Sequence, residues 1–256
     1  STQLDISPLP NEAGWHNTDV TITLTATDNE GGSGVKEIGY KLTGAESREE
    51  TIPGQTAQIF ISTEGITNLT YWAVDNAGIV ELVKSLTVKL DKTPPTITTQ
   101  ASPQPNFFGW NNTDVLVSFN GKDNLSGITT VTDPITVITE GKDQIIGGEA
   151  VDLAENTAFT SVTLIIDKTA PAITINVPLN EAEYLLKQSV IADWSVTDNL
   201  SGLESSSGTL SSGQAIDTAS PGTKIFSVSG QDRAGNSSTQ TNKYYARYHY
   251  LGILPP

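Results

Sequence analysis

The sequence predicts an all-β chain of three tandem β-sandwiches arranged as an extended rod. Three observations carry that prediction. Apolar and Thr residues alternate with period two, Gly and Pro punctuate the chain at short intervals, and the same acidic turns return in the same order three times.

Alternation comes first because it says which way the strands face. Val20, Ile22, Leu24 and Ala26 fall on one side of a strand, with Thr21, Thr23, Thr25 and Thr27 on the other. Val115, Val117 and Phe119 repeat the pattern, as do Val190, Ala192, Trp194 and Val196. A strand with one apolar face belongs to an antiparallel sheet packed on one side. In the first repeat, strands are expected near Leu4–Ser7, Val20–Thr27, Val35–Leu42, Glu49–Ile52, Gln58–Ile61, Leu69–Val74 and Ile79–Leu90. That is the strand count of one sandwich.

The repeat has three marks. A strand runs into an acidic turn at Asp28-Asn29, Asp123-Asn124 and Asp198-Asn199, each followed by Ser-Gly and an apolar residue. A later strand ends in a second acidic turn at Asp75, Asp152 and Asp232. The third mark is a linker, Asp91-Lys92-Thr93-Pro94-Pro95 and Asp167-Lys168-Thr169-Ala170-Pro171. These linkers predict domains at 1–92, 93–168 and 169–256, the last ending in a strand that leads to a further module. Proline fixes φ and biases its predecessor towards extended geometry, so the linkers should hold neighbouring units at a restricted angle.

Composition excludes several functions. The chain has no Cys, so disulfide frameworks, zinc fingers and thiol catalysis are ruled out together. Only His16 and His249 are present, and no Gly-x-Ser-x-Gly elbow occurs, so nucleophilic catalysis lacks its parts and no enzyme is expected. With 29 acidic against 14 basic residues the net charge is −15, and no Lys/Arg cluster exists to neutralise phosphates. Nucleic acid and anionic lipid are therefore poor partners. No apolar run approaches the roughly 18 residues that span a bilayer. The chain starts Ser1-Thr2-Gln3 without Met or signal peptide and reads as an excised segment of something longer.

The run Gly14-Trp15-His16-Asn17-Thr18-Asp19-Val20, the Ser33-Gly34-Val35 turn, the Asp-x-Ala-Gly-Asn turn and the Asp-Lys-Thr-x-Pro linker resemble the bacterial Ig-like repeats of large secreted and cell-surface proteins, including the family typified by leptospiral surface proteins. The resemblance covers essentially the whole chain and implies tandem immunoglobulin-like or fibronectin-III-like sandwiches. It further implies an extracellular bacterial or archaeal spacer, stalk or adhesion segment. The alternative it leaves open is a glycan-contacting accessory region of a secreted carbohydrate-active enzyme. Expected partners are neighbouring domains of the same polypeptide and a host or cell-surface protein or glycan, with the segment itself monomeric. The closing Tyr250–Pro256 resembles the lead-in to another all-β module. Departures from the pattern are Ile79 in place of Asn, Glu155 in place of Gly, and the absence of Gly-Trp-x-Asn from the third repeat.

The acidic turns are the candidate sites. In a sandwich the two acidic loops lie at the pole where the chain enters, so Asp123 and Asp152 should meet Asp91, and Asp198 and Asp232 should meet Asp167. Three carboxylates with nearby carbonyls begin a calcium site, which takes six to eight oxygens. The other reading is that each Asp caps its own turn. No other cofactor is expected. Trp15, Trp110 and Trp72 are the candidate exposed aromatics for ligand stacking, with Tyr40 as a neighbour of Trp72, whereas Trp194 falls on the core side of its strand.

Overall fold

The structure, a computed structural model, describes residues 1–248; His249 and the expected lead-in at 250–256 lie outside the described residues. Residue contacts divide the chain into two compact units. The first comprises residues 1–99, 119–133 and 147–161, and the second comprises 100–118, 134–146 and the described residues from 162 onward. Both Asp-Lys-Thr linkers lie inside a unit, because each is tightly bonded to the repeats on either side of it.

Strands account for nearly all regular structure among the described residues. The first repeat contains β1 (Thr2–Ser7), β2 (Trp15–His16), β3 (Val20–Ala26), β4 (Val35–Gly44), β5 (Arg48–Pro53), β6 (Thr56–Ile61), β7 (Gly65–Asp75) and β8 (Lys84–Leu90). The second contains β9 (Thr96–Ser102), β10 (Val115–Lys122), β11 (Ile128–Val131), β12 (Ile135–Val137), β13 (Gly141–Asp152) and β14 (Thr157–Ile166). The third contains β15 (Ala172–Val177), β16 (Ala182–Leu185), β17 (Asp193–Thr197), β18 (Leu203–Gly208), β19 (Gly222–Asp232) and β20 (Ser237–Arg247).

Each repeat builds two sheets. They run β1-β3-β6 against β2-β8-β7-β4-β5, then β12-β10-β9 with β11-β13-β14, then β15-β17 against β16-β20-β19-β18. In the first repeat, Val20, Ile22 and Leu24 of β3 meet Ile38, Tyr40 and Leu42 of β4 in one buried cluster, as the period-two pattern requires. In the third, Val190, Ala192, Phe226, Val228 and Tyr244 form the equivalent cluster, with Trp194 and Val196 packed against it. Trp194 also donates its indole Nε1–H to the Leu210 carbonyl at 2.9 Å, so its polar edge is satisfied where it enters the core.

The leading strand of a repeat serves both sheets. β1 pairs antiparallel with β3; the chain then crosses at Pro8, and β2 runs parallel to β8. β15 and β16 do the same with β17 and β20, and Asn111 bridges parallel to Ile166 in the second repeat. This split first strand, together with the two facing sheets, makes the fold immunoglobulin-like.

The expected strand Ile79–Leu90 begins only at Lys84. Residues 79–83 form no continuous strand: Val80 makes only an isolated bridge to Val74, and the Glu81 side chain turns back onto β1, accepting from the Thr2 amide at 2.9 Å and from the Thr2 hydroxyl. Burial alone would raise this carboxyl, but Lys84 and the two Thr2 donors outweigh it and hold Glu81 at about 2. Strand β2, too short to show a period, was not expected.

One core position differs between the first two repeats. Asn111 donates its side-chain amide to the Pro103 carbonyl at 3.0 Å, and in the third repeat Asn242, from the last strand β20, donates to Pro178 at 2.8 Å. His16 occupies the place of Asn111, is buried, and its Nδ1 has no partner among the described residues. Burial pushes the imidazole below its ordinary value of 6.5. The folded value is thus below the unfolded one, so stability is complete above pH 6.5 and falls as pH drops beneath it. Replacing His16 with Asn is expected to remove the part of the acid destabilisation that sets in between about pH 6.5 and 5, above the carboxylate range. Urea melts of both proteins across that window are the check; parallel pH profiles would refute it.

Candidate functional site

The six predicted aspartates assemble into two groups. Asp91, Asp123 and Asp152 each present an oxygen within 4.8 Å of the others, and so do Asp167, Asp198 and Asp232. Each trio lies within one compact unit.

The geometry is nearly the same twice. The first linker aspartate, Asp91, is fully buried. Its Oδ2 accepts the Ser126 amide at 2.9 Å and its Oδ1 the Thr93 amide at 3.1 Å. Asp167 repeats this with Ser201 at 2.8 Å and Thr169 at 3.1 Å. The first acidic turn positions the Ser-Gly amides: Asp123 Oδ1 accepts from Leu125 at 2.9 Å and Gly127 at 2.7 Å, and Asp198 Oδ1 from Leu200 at 3.2 Å and Gly202 at 2.6 Å. Desolvation alone would raise Asp123, but the amides of Gly127, Leu125 and Asn124 outweigh it and lower its pKa.

The second acidic turn supplies a side-chain amide. Asp152 accepts the Asn156 backbone and side-chain N–H groups at 2.8 and 2.9 Å, and Asn156 Nδ2 also donates to the Asp91 carbonyl at 2.9 Å. Asp232, Asn236 and the Asp167 carbonyl make the same set, each at 2.8 Å. In the first repeat Ile79 stands where these asparagines would be, and Asp28 and Asp75 only cap their own turns.

Sequence reasoning missed the strap that holds the linker lysines. Lys92 donates its amide to Glu64 at 2.5 Å and its ammonium to Asp19 at 2.7 Å and the Ser62 carbonyl at 2.8 Å. Lys168 does the same with Glu140, Asp114 and the Ile138 carbonyl. A signal was present: in each case a Glu-Gly pair lies 28 residues before the lysine. Because both ammonium groups are drawn away, the described donors to the Asp trios are amides and the weak Ser126 and Ser201 hydroxyls.

The aromatic expectations need correction. Trp15 and Trp110 are only 8% and 7% exposed, and Lys89 and Lys142 sit over their rings at 5.8 and 5.5 Å from the centroids. They close the sandwich end instead of offering a stacking face. Trp72 is half-buried and lies flat on Gly39, where a Cβ would come within 2.5 Å of the ring. Tyr40 points inward, paired with Tyr71, and is no neighbour of that outer face. Among the described residues the exposed rings include Phe60, Phe107, Phe108 and Phe159, none of which sequence reasoning singled out, and Tyr248.

No protein-family model matches the chain, and no curated protein matches it. Among solved structures, the chain is similar to fibronectin(III)-like modules of CbhA from Clostridium thermocellum, with 16% identity, 35% of this chain and 98% of that chain covered, and a TM-score of 0.27. It is also similar to the sialic acid binding region of a Streptococcus sanguinis adhesin, with 9% identity, 96% and 77% coverage, and a TM-score of 0.25. A third similarity is to the N-terminal eight Ig domains of Down Syndrome Cell Adhesion Molecule, with 10% identity, 90% and 34% coverage, and a TM-score of 0.27.

Glu155 stands at the left-handed position of its turn with φ +68°, where Gly235 has +95°. A non-glycine residue there costs about 1–2 kcal/mol. Glu155→Gly is therefore expected to stabilise the chain by about 1 kcal/mol. Equilibrium denaturation reads this directly; a destabilised variant would contradict it.

Proposed function

We propose that this chain is a non-catalytic extracellular spacer or adhesion segment of the bacterial Ig-like type, whose working feature is a stiffened junction between repeats. One observation carries the reading: twice, a linker aspartate is buried against the turn of the following repeat while the adjacent lysine is strapped to the preceding one. A flexible tether needs none of these bonds. The carboxylates are committed to backbone amides, which suits a scaffold better than acid–base chemistry.

Calcium is the ligand that these junctions would take. Within each trio two aspartates are fully buried, no lysine or arginine among the described residues neutralises them, and three carboxylate oxygens lie within 4.8 Å of one another. Carbonyl and water oxygens would complete the shell. A divalent ion would relieve the like-charge repulsion and stiffen the junction further.

Absence of native Cys lets spin labels be placed cleanly, at Thr51 and Thr130 on the outside of the first unit. The wild-type chain is expected to give a narrow distance distribution, and Glu64→Ala with Asn156→Ala a broad one. A broad distribution in the wild type would refute the stiffened junction. Adding about 1 mM calcium to EDTA-treated protein is expected to raise Tm by several degrees, and Asp123→Asn with Asp198→Asn to abolish the rise. An unchanged Tm would remove calcium and leave the amide-held spacer intact.

A further inference from the structure

The outer face of the β11-β13-β14 sheet carries a cleft of about 500 Å³ that the junctions do not use. Its position follows from strand parity. Ala150 points into the core, so Glu149 and Gly147 fall on the outward phase of β13. On β14 the outward phase carries Phe159 and Ser161. Phe159 is 74% exposed, and Gly147 has no side chain to fill the space beside it.

The same face is built differently in the other repeats; in the third it carries a smaller cleft of about 270 Å³, lined mainly by serine and threonine residues and without an aromatic ring. Counting from the shared Asp–Asn turn, Ser229 and Ser227 occupy the places of Glu149 and Gly147, and Thr239 and Thr241 those of Phe159 and Ser161. There the hydroxyls of Ser229 and Thr239 bond each other at 2.9 Å, and those of Ser227 and Thr241 at 2.8 Å. In the first repeat Trp72, at the place of Glu149, lies down on Gly39. The second repeat instead leaves a phenyl ring uncovered beside a slot. The Glu149 carboxylate and the Ser161 hydroxyl flank it, neither with a hydrogen-bond partner among the described residues.

We propose that this cleft binds a neutral sugar ring, stacked on Phe159 with its hydroxyl groups held by Glu149 and Ser161. A pyranose has an apolar face to lay on an aromatic ring and hydroxyls that donate to a carboxylate and exchange bonds with a serine. Anionic sugars are repelled by Glu149 and by a net charge of −15. An amphipathic helix would need a stripe of apolar residues, and the cleft lining offers a single large one. An added strand would pair with the backbone of the edge strand β14, whereas the groups presented in the cleft are the outward side chains of Phe159, Glu149 and Ser161.

This goes beyond the spacer reading and is tested at other residues. The isotope-labelled chain is titrated with cellohexaose, laminarihexaose, xylohexaose, mannohexaose and chitohexaose, with sialyllactose as the anionic control, and amide shifts are followed. Saturable shifts at Gly147, Gly148 and Glu149 with at least one neutral sugar are expected, and none with sialyllactose. Phe159→Ala should weaken binding about tenfold, as loss of an aromatic stack does. Gly147→Val should abolish it by filling the slot. A Cβ at Gly147 would meet only the Thr160 carbonyl at 3.7 Å, so that variant should fold and melt as the wild type does. No shift in the cleft up to about 10 mM sugar, binding that survives both substitutions, or binding of sialyllactose alone would each overturn the proposal. None of these outcomes touches the junction, whose stiffness and calcium response are read from other bonds.

Discussion

A carboxylate withdrawn from water must be met by donors or by a cation, and this requirement at Asp91 and Asp167 organises the linkers. Each is met by the amide of a serine in the following repeat and by an amide two residues further along its own linker. Hydrogen bonds to a charged group contribute roughly 1.5–3 kcal/mol each, and removing one would leave a buried charge short of a partner. The linker path is therefore set by chemistry at one side chain. Proline then limits what the backbone can do on the way out.

The remaining parts of the junction exist to present those donors. Asp123 and Asp198 draw the following amides into a tight turn, which aims the serine N–H at the linker carboxylate. Asp152 and Asp232 hold the side chains of Asn156 and Asn236, which reach the linker carbonyl. Three carboxylates thus gather within hydrogen-bonding reach of common turns for reasons of backbone organisation. The same gathering produces a concentration of negative charge. Turn capping and cation binding are consequently compatible roles for one set of atoms, and the strapping of Lys92 and Lys168 to the preceding repeat keeps the charge unneutralised.

Much of this was legible in the sequence because its causes are local or periodic. Val20, Ile22, Leu24 and Ala26 must face one way under a period of two, and they do. The meeting of Asp91 with Asp123 and Asp152 followed from the pole at which a sandwich receives its chain. What was not legible depends on neighbours distant in sequence. Trp15 and Trp110 carry no signal of the lysines that cover them. At 79–83 the chain makes one isolated bridge to β7 and a long-range bond from Glu81 to Thr2, and an apolar run alone misreads this as continuous strand. Glu64 and Glu140 were recoverable from their equal spacing to the lysines, but only once the lysine had been recognised as a strapped group.

The repeats agree where packing or buried charge leaves no choice and differ where a surface answers only to water. Inner faces are held by close packing, in which a single methylene is felt, and the two junctions by buried carboxylates. The outer faces carry neither constraint, so a Trp on glycine, an uncovered Phe beside a glycine and a ladder of paired hydroxyls can stand at equivalent places without disturbing the fold. Any difference in what the repeats contact must therefore be written on those faces. A face whose own hydroxyls already pair must break those bonds before it can bind anything else. The face around Phe159 must break none, and its ring, carboxylate and hydroxyl are already turned to solvent.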